Sequence, residues 1–329
     1  MQVAFDNGGA RILQGDLLKL LPTLPEKSVD LVFGSPPYED ARTYGIDFRL
    51  KGQDWVDWMV EVVTASLRVC KGLVAFVVEG RTRNYAYSAT PILLMADLRR
   101  AGITLRKPPL YVRDGIPGSG GPDWLKNKYE FIVCATNGGK LPWSDNTAMG
   151  HPPIYGPGGA PTHRRKDGTR ANPKDDPGAY RASVRDSGGG MKMDKYSAAD
   201  PKHPRTGEVQ VYVPPALANP GNLIDCGPGG GGNMGSHLCH ENEAPFPESL
   251  AEFFVRSFCP PGGIVLDPFG GSGTTAAVAI KTGRDYITMD LRESQVELIH
   301  RRVAEAQGTI TPPAPALAAA GPLFPMEPT

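Results

Sequence analysis

A loop of four residues, Ser35-Pro36-Pro37-Tyr38, combines group types that could activate an aromatic amine. The prolines stiffen the loop and remove backbone N–H donors, so the Ser35 hydroxyl and the Pro36 carbonyl remain as hydrogen-bond acceptors. An amine on an aromatic ring is a poor nucleophile until acceptors hold its N–H groups and its nitrogen becomes pyramidal. Two rigid acceptors, with the Tyr38 ring beside them for stacking, predict an amine-activating site.

A glycine-rich segment, residues 267–275 (DPFGGSGTT), forms a second candidate site between a predicted strand and a predicted helix. Glycines let a backbone approach its ligand closely, and a helix N-terminus offers free N–H groups. Asp290 ends the next predicted strand, where a carboxylate can bind two ribose hydroxyls. This combination predicts a pocket for a nucleoside cofactor.

The glycines alone do not identify that cofactor. Gly271, Gly273 and Ala276 also fit the loose dinucleotide fingerprint, so an NAD-dependent oxidoreductase is an alternative. A P-loop is excluded because no lysine follows the last glycine to reach a phosphate. The NAD alternative leaves the 35–38 loop unexplained and offers no evident residues for hydride transfer.

Strands and helices alternate around these segments. Residues 29–34 and 72–78 are predicted to be buried strands, and residues 54–70 a helix with its apolar side chains on one face. Further predicted helices cover 91–100, 247–258, 274–282 and 292–307, and further predicted strands cover 110–112, 130–135, 263–267 and 285–290. The alternation predicts a mostly parallel sheet with covering helices and one antiparallel strand, residues 130–135.

The 35–38 loop resembles motif IV of the amino-methyltransferases that act on cytosine N4 or adenine N6 in DNA. The 267–275 segment is similar to motif I of that family, which binds S-adenosylmethionine. The catalytic motif comes first in this chain, an order that resembles the β class of the family, a circular permutation. The resemblance implies an α/β, class I S-adenosylmethionine-dependent methyltransferase (Rossmann-like) fold, circularly permuted, with a long irregular insertion. It covers about residues 12–136 and 237–307.

The same resemblance implies further cofactor contacts. Gly15-Asp16 resembles motif III, whose acid lies near the adenine, and residues 240–247 (HENEAPFP) resemble motif X, whose aromatic residue here is Phe246. Asp290 matches the ribose-binding acid of motif II. The predicted catalytic residues are Ser35, Pro36, Pro37 and Tyr38, and the predicted cofactor-binding residues are Asp16, Phe246, Asp267, Pro268, Phe269, Gly271, Ser272, Gly273, Thr274 and Asp290.

The target base is a narrower question. In this family a serine at the first position of motif IV favours cytosine N4, whereas an aspartate there favours adenine N6. Both side chains can accept an amine N–H, so adenine N6 remains an alternative to cytosine N4.

Residues 140–236 lose the alternating pattern and are rich in glycine and proline. They take the place of the family's variable target-recognition region, between a catalytic half (1–139) and a cofactor half (237–308). Within 162–205, eleven Lys and Arg residues face six Asp residues, and tyrosines are interleaved. We therefore expect contacts with the phosphates of double-stranded DNA, although a solvated loop is the alternative. The predicted DNA-binding residues are Arg164, Arg165, Lys166 and Arg170.

Composition limits the kinds of partner, metal site and cellular compartment that we expect. The 35 basic and 35 acidic residues balance, so net charge neither supports nor excludes a polyanionic partner. Five cysteines without a CxxC pair indicate a reducing compartment. The loose group of Cys226, His237, Cys239 and His240 lacks the spacing of a zinc site, so no metal is predicted.

The first residues do not resemble a signal peptide and no apolar run suffices for a membrane span, so we expect a cytoplasmic protein. The tail, 309–329, is predicted to be disordered. A homodimer and a paired restriction endonuclease are left open.

Overall fold

The computed structural model describes residues 3–5, 11–40, 48–113, 123–153, 216–226 and 234–308. The strands are β1 Val3–Phe5, β2 Arg11–Gln14, β3 Val29–Gly34, β4 Cys70–Val78, β5 Thr82–Arg83, β6 Ala86–Tyr87, β7 Thr104–Leu105, β8 Leu110–Val112, β9 Tyr129–Thr136, β10 Leu223–Asp225, β11 Ile264–Asp267 and β12 Asp285–Asp290. The α-helices are α1 Leu17–Leu20, α2 Gln53–Val69, α3 Thr90–Arg100, α4 Glu248–Phe258, α5 Thr274–Lys281 and α6 Glu293–Ala306, and short 3₁₀ turns cover Leu21–Thr23 and His237–Glu241.

Ten of these strands form one sheet in the order β1-β2-β12-β11-β3-β4-β9-β8-β10, with β7 paired to β9. The run from β2 to β4 is parallel. Strand β9 runs antiparallel to β4 and to β8, as predicted for residues 130–135. Strand β1 is a second antiparallel strand, paired to β2, which the sequence pattern did not predict.

Side chains of the central strands alternate between two cores. On β3, Val32 packs into one core, while Leu31 and Phe33 face the other. The first core is closed by α1, α2 and α3, and the second by α4, α5 and α6. Strands buried on both faces explain why these segments read as continuous apolar runs. The fold is the class I methyltransferase-type α/β sandwich that the sequence predicts.

Helix α2 illustrates how the sequence fixes this packing. The predicted apolar face is buried as expected, and each such side chain contributes about 1.5–3 kcal/mol by leaving water. The buried residues of that face are Trp55, Met59, Val62, Val63 and Leu67.

The segment predicted as an insertion is divided by the structure. Residues Asn146–Gly221 form a compact unit of their own, and Met1–Asp145 with Asn222–Thr329 form the other. Within the smaller unit, His151 and Ala218 form an isolated antiparallel bridge. Strand β10, inside the range 140–236, belongs to the main sheet through parallel pairing with β8. The tail 309–329 and the predicted contacts Arg164, Arg165, Lys166 and Arg170 lie outside the described residues. Among the described helices, none is long and apolar enough to cross a membrane.

Candidate active site

Four neighbouring parallel strands, β2, β12, β11 and β3, end at the same edge of the sheet, where ligands of open α/β sheets bind. A cavity of about 400 Å³ opens there. The predicted residues that line it are Asp16, Ser35, Pro37, Phe246, Pro268, Phe269, Gly271, Ser272, Thr274 and Asp290. The topology therefore brings residues from both ends of the chain to one place.

The glycine loop between β11 and α5 is tied to the neighbouring strand β12. The N–H of Gly270 donates to the Met289 carbonyl at 2.6 Å, and the N–H of Gly271 donates to the Asp290 carboxylate at 3.0 Å. Gly271 and Gly273 have φ values of 51° and 76°, a region that bulkier residues avoid. Gly273 is the N-cap of α5. The loop thus curves past the cavity and directs a helix N-terminus toward it.

Asp290 connects three segments of this pocket through hydrogen bonds. One carboxylate oxygen accepts from the Gly271 N–H and the other from the Arg292 N–H at 2.9 Å. Its carbonyl accepts from the N–H of Gly15, which joins β12 to the Gly15-Asp16 turn. A carboxylate has about four acceptor positions, so acceptor capacity is left for ligand hydroxyls after these bonds. Burial raises the pKa of Asp290, with the hydrogen bonds from the loop acting in the opposite direction.

Asp267 lies behind the cavity wall, not on it, and is 1% exposed. Its Oδ1 accepts from the Phe269 N–H at 2.9 Å, which fixes the start of the glycine loop. A Cβ at Gly34 would lie 2.3 Å from the same oxygen, so the end of β3 must be glycine for the two strands to approach. Burial raises the pKa of Asp267 from its ordinary 3.8 to about 7.

The raised pKa of Asp267 predicts a pH dependence of stability. Between about pH 4 and pH 7 the folded chain retains a proton that the unfolded chain has released, so the free energy of unfolding falls as pH rises. D267N has no such proton to lose. Denaturant unfolding at pH 5 and pH 7.5 should therefore show wild type losing stability relative to D267N at the higher pH. If wild type instead lost stability relative to D267N as the pH falls, the Asp267 carboxyl would be ionised in the folded protein.

The 35–38 loop is held by hydrogen bonds from several elements. The Ser35 hydroxyl donates to the Val77 carbonyl at 3.1 Å, and the Pro37 carbonyl accepts from Trp55 Nε1 at 2.9 Å. Because the Ser35 proton points at the protein, only the lone pairs of its oxygen remain for the cavity. Pro36 is buried and is not part of the cavity wall, so the position of its carbonyl toward a substrate stays a prediction.

Tyr38 also lies outside the cavity wall. Its hydroxyl donates to Glu130 Oε2 at 2.8 Å, and Glu130 in turn forms an ion pair with Arg113. This anchor at one end fixes the direction of the ring. The structure thus holds Tyr38 next to the cavity-lining residues Ser35 and Pro37 without making it part of the cofactor pocket.

Several residues of the site were not found from the sequence. The aromatic rings of Phe48 and Trp58 line the cavity, 5.1 Å apart, and Trp58 meets Phe269 at 5.8 Å. Asn242 lines it as well, and its Oδ1 is buried without a hydrogen-bond partner among the described residues. The signal that could have identified Trp58 is its place one turn after Trp55, beside the buried face of α2.

Glu39 was missed too. It directly follows the 35–38 loop and is 7% exposed. Its carboxylate accepts from the Gly52 N–H at 3.1 Å, the Arg81 N–H at 2.9 Å and the Ser88 hydroxyl. Glu39 thereby fastens the loop to the start of α2 and to the segment after β4.

The fold is that of a class I methyltransferase, and its cavity has room for a nucleoside cofactor beside the 35–38 loop. The family model for N6 and N4 DNA methylases matches residues 29–301. The chain belongs to this DNA methylase family, and its cofactor is S-adenosylmethionine. The family decides between the two interpretations of the glycine loop, against NAD.

Individual relatives agree with this assignment. The chain is 26% identical to the DNA adenine methyltransferase YhdJ of Escherichia coli K12 over 301 residues, which cover 91% of this chain and 84% of the relative. The cytosine-N4-specific PvuII DNA methyltransferase shares the fold with a TM-score of 0.59 at 19% identity, covering 90% of this chain and 86% of the other. The TTHA0409 protein of Thermus thermophilus, solved with S-adenosyl-L-methionine, gives a TM-score of 0.51 at 21% identity, covering 90% and 95%.

The residues present fit the cofactor. S-adenosylmethionine carries donors on its adenine, ribose and amino group, and the cavity offers the remaining acceptor positions of Asp290 and the buried Asn242 oxygen without a partner among the described residues. Phe246, Phe269 and Trp58 supply apolar walls for a flat ring. The positive φ of Gly271 lets the backbone lie close to the ligand.

Proposed function

We propose that this methyltransferase modifies the exocyclic amine of a base in double-stranded DNA, with cytosine N4 as the favoured target. The observation that carries the proposal is the orientation of Ser35. Its hydroxyl proton is given to the Val77 carbonyl, so its oxygen can only accept toward the cavity that holds the glycine loop. An acceptor so placed suits the N–H of an amine, and the serine favours cytosine over adenine in this family.

The cofactor, when bound, supplies an electrophilic methyl group on its sulfonium. The residues of this chain position the amine, and no covalent enzyme intermediate is needed. Ser35 and the Pro36 carbonyl hold the N–H groups, Pro37 stiffens the loop, and Tyr38 stacks on the base. The cofactor roles expected for Asp16, Phe246, the 267–274 segment and Asp290 complete the site.

Mass spectrometry of digested DNA tests this function. DNA incubated with the protein and S-adenosylmethionine should yield N4-methylcytosine after digestion to nucleosides. N6-methyladenine would correct the base but keep the reaction. The absence of both, with labelled cofactor bound at micromolar concentration, would overturn the proposed substrate.

We further propose that the 162–205 stretch contacts DNA phosphates. Replacing Arg164, Arg165 and Lys166 with alanine should weaken binding to all sequences alike, since phosphate contacts carry no sequence information. Each lost contact should reduce the salt slope of log K by about 0.9 through reduced counterion release. DNA affinity at several salt concentrations measures this slope.

The matched control replaces three exposed cations: Arg99 and Arg100 at the end of α3, and Lys107 after β7. The control should keep the wild-type slope. Equal slopes for wild type and the R164A/R165A/K166A variant would show that the cluster is a solvated loop. A cytoplasmic location is a further proposal, and it rests on the sequence. Two partners stay open: a second copy of the chain, which sedimentation would detect, and a paired endonuclease, which co-purification would detect.

A further inference from the structure

Two adjacent large apolar side chains are exposed in the segment before β9. Trp124 is 77% exposed and Leu125 is 78% exposed. A tryptophan and a leucine side by side leave a sizeable apolar area in water, which a monomeric protein rarely keeps without use. This pair is therefore a candidate contact for a partner.

The pair lies at the edge of the sheet that carries the candidate active site. Strand β9 runs antiparallel to β4, with Phe131 opposite Val78, so β9 begins where β4 ends. Its second residue, Glu130, accepts the hydrogen bond from Tyr38. The segment before β9 is also tied to β8, because the Arg113 N–H donates to the Lys128 carbonyl at 2.7 Å. Residues 123–128 therefore lead into a strand whose start is held beside the 35–38 loop.

The hairpin of β5 and β6 reaches the same edge. Its two turn residues, Asn84 and Tyr85, have φ values of 50° and 62°, a conformation that a tyrosine adopts only at an energetic cost. Tyr85 is 84% exposed at the tip. The hairpin is anchored by the Tyr87 hydroxyl, which donates to Glu79 Oε1 at 2.9 Å.

Glu79 connects the hairpin to the segment before β9. Burial raises the pKa of Glu79, and the nearby side chains of Tyr87 and Asn127 act in the opposite direction. Asn127 in turn accepts from the Tyr129 N–H at 3.3 Å. We call the hairpin 82–87 together with the segment 123–128 the wedge surface.

Cations lie on both segments of the wedge surface. Arg83 and the adjoining Arg81 have side chains 66% and 50% exposed, and both form ion pairs with Asp40. Lys126 and Lys128 are exposed beside Trp124 and Leu125. Exposed rings interleaved with basic residues are typical of nucleic-acid surfaces, because the rings stack on bases and the cations meet phosphates.

We propose that the wedge surface opens the DNA duplex at the target, with Trp124 and Leu125 entering the base stack. A base that is to be methylated must leave the stack, and apolar side chains that fill its place offset the cost of unstacking. The cations beside the pair hold the flanking phosphates. This inference rests on the proposed action on double-stranded DNA and names the surface that makes it feasible.

The test compares two fluorescent duplexes of one sequence, one fully paired and one with a single abasic nucleotide. The abasic duplex already has a gap in its stack, so wild type should bind it about tenfold more tightly or better, since the unstacking cost is avoided. In W124A/L125A the ratio of the two affinities should fall close to one. In W124F/L125M, which keeps apolar bulk, most of the preference should remain.

The matched control is I92A/L93A, an adjacent exposed apolar pair on α3 that lies outside the wedge surface. It should keep the wild-type preference. A W124A/L125A variant with an unchanged preference, or a wild type with none, would overturn the proposal. So would a change in oligomeric state on sedimentation, because the pair would then cover a second copy of the chain. If wild type methylates DNA but binds the two duplexes equally, only the wedge proposal is overturned. If wild type prefers the abasic duplex but does not methylate DNA, only the proposed function is overturned.

Discussion

S35A is expected to lower kcat by about two orders of magnitude while leaving the affinity for S-adenosylmethionine nearly unchanged. A positioned group that manages the protons of a reacting amine typically contributes 10²–10⁴-fold, about 3–5 kcal/mol of barrier. Ser35 lines the cavity, and its proton is committed to the Val77 carbonyl. Alanine removes the acceptor without enlarging the side chain. Single-turnover methyl transfer from labelled cofactor to DNA measures the effect.

The control for this variant lies at the other end of the same strand. The Ser28 hydroxyl also donates to a backbone carbonyl, that of Pro25, at 2.7 Å, but it is far from the cavity. S28A should therefore keep the wild-type rate. S35D, which restores an acceptor, should be faster than S35A. If S35A and S28A transferred methyl groups equally fast, the amine would be held by other groups, and the role given to Ser35 would be wrong.

The regular part of this fold follows from local sequence. The strands predicted at 29–34, 110–112 and 285–290 match the structure at both ends. Prolines, glycines or charged residues bound each of them, and their apolar runs are too short for a helix. The antiparallel strand at 130–135 was found as well, within one residue at each end.

The elements that were missed depend on distant partners. Strand β10 has only three residues and exists because β8 pairs with it. Glu39 can be buried because its carboxylate accepts from the N–H groups of Gly52 and Arg81, which are distant in the sequence. Phe48 and Trp58 line the cavity because α2 packs against the sheet beside the glycine loop. Such contacts have no period or spacing in the sequence.

For the motif residues too, the sequence predicts one property and the packing of distant segments decides another. Sequence resemblance indicated which residues belong to the site, but not their depth. Asp267 and Gly273 support the cavity from behind, whereas Asp290 and Phe246 face it. Tyr38 points its hydroxyl at Glu130, a partner that no motif contains. Depth and partner choice are set by packing, so they required the structure.

D290A is expected to weaken S-adenosylmethionine binding by roughly ten- to a hundred-fold. Charge-assisted hydrogen bonds contribute about 1.5–3 kcal/mol, and Asp290 is a carboxylate of the cavity with acceptor positions left for ribose hydroxyls. The loss should exceed the direct contact, because the Gly271 N–H would also lose its partner at 3.0 Å and the loop would be less ordered. Calorimetric titration of the protein with the cofactor measures it, without any need for DNA.

Two variants separate the carboxylate's charge from its place in the fold. D290N keeps an acceptor and the approximate shape, so its affinity should lie between those of D290A and wild type. D285A makes the same change at the opposite end of β12, away from the cavity, and should bind the cofactor like wild type. Equal affinity in D290A and D285A would show that the ribose is held elsewhere. The cofactor would then have to lie against Asn242 and the aromatic wall instead of the end of β12.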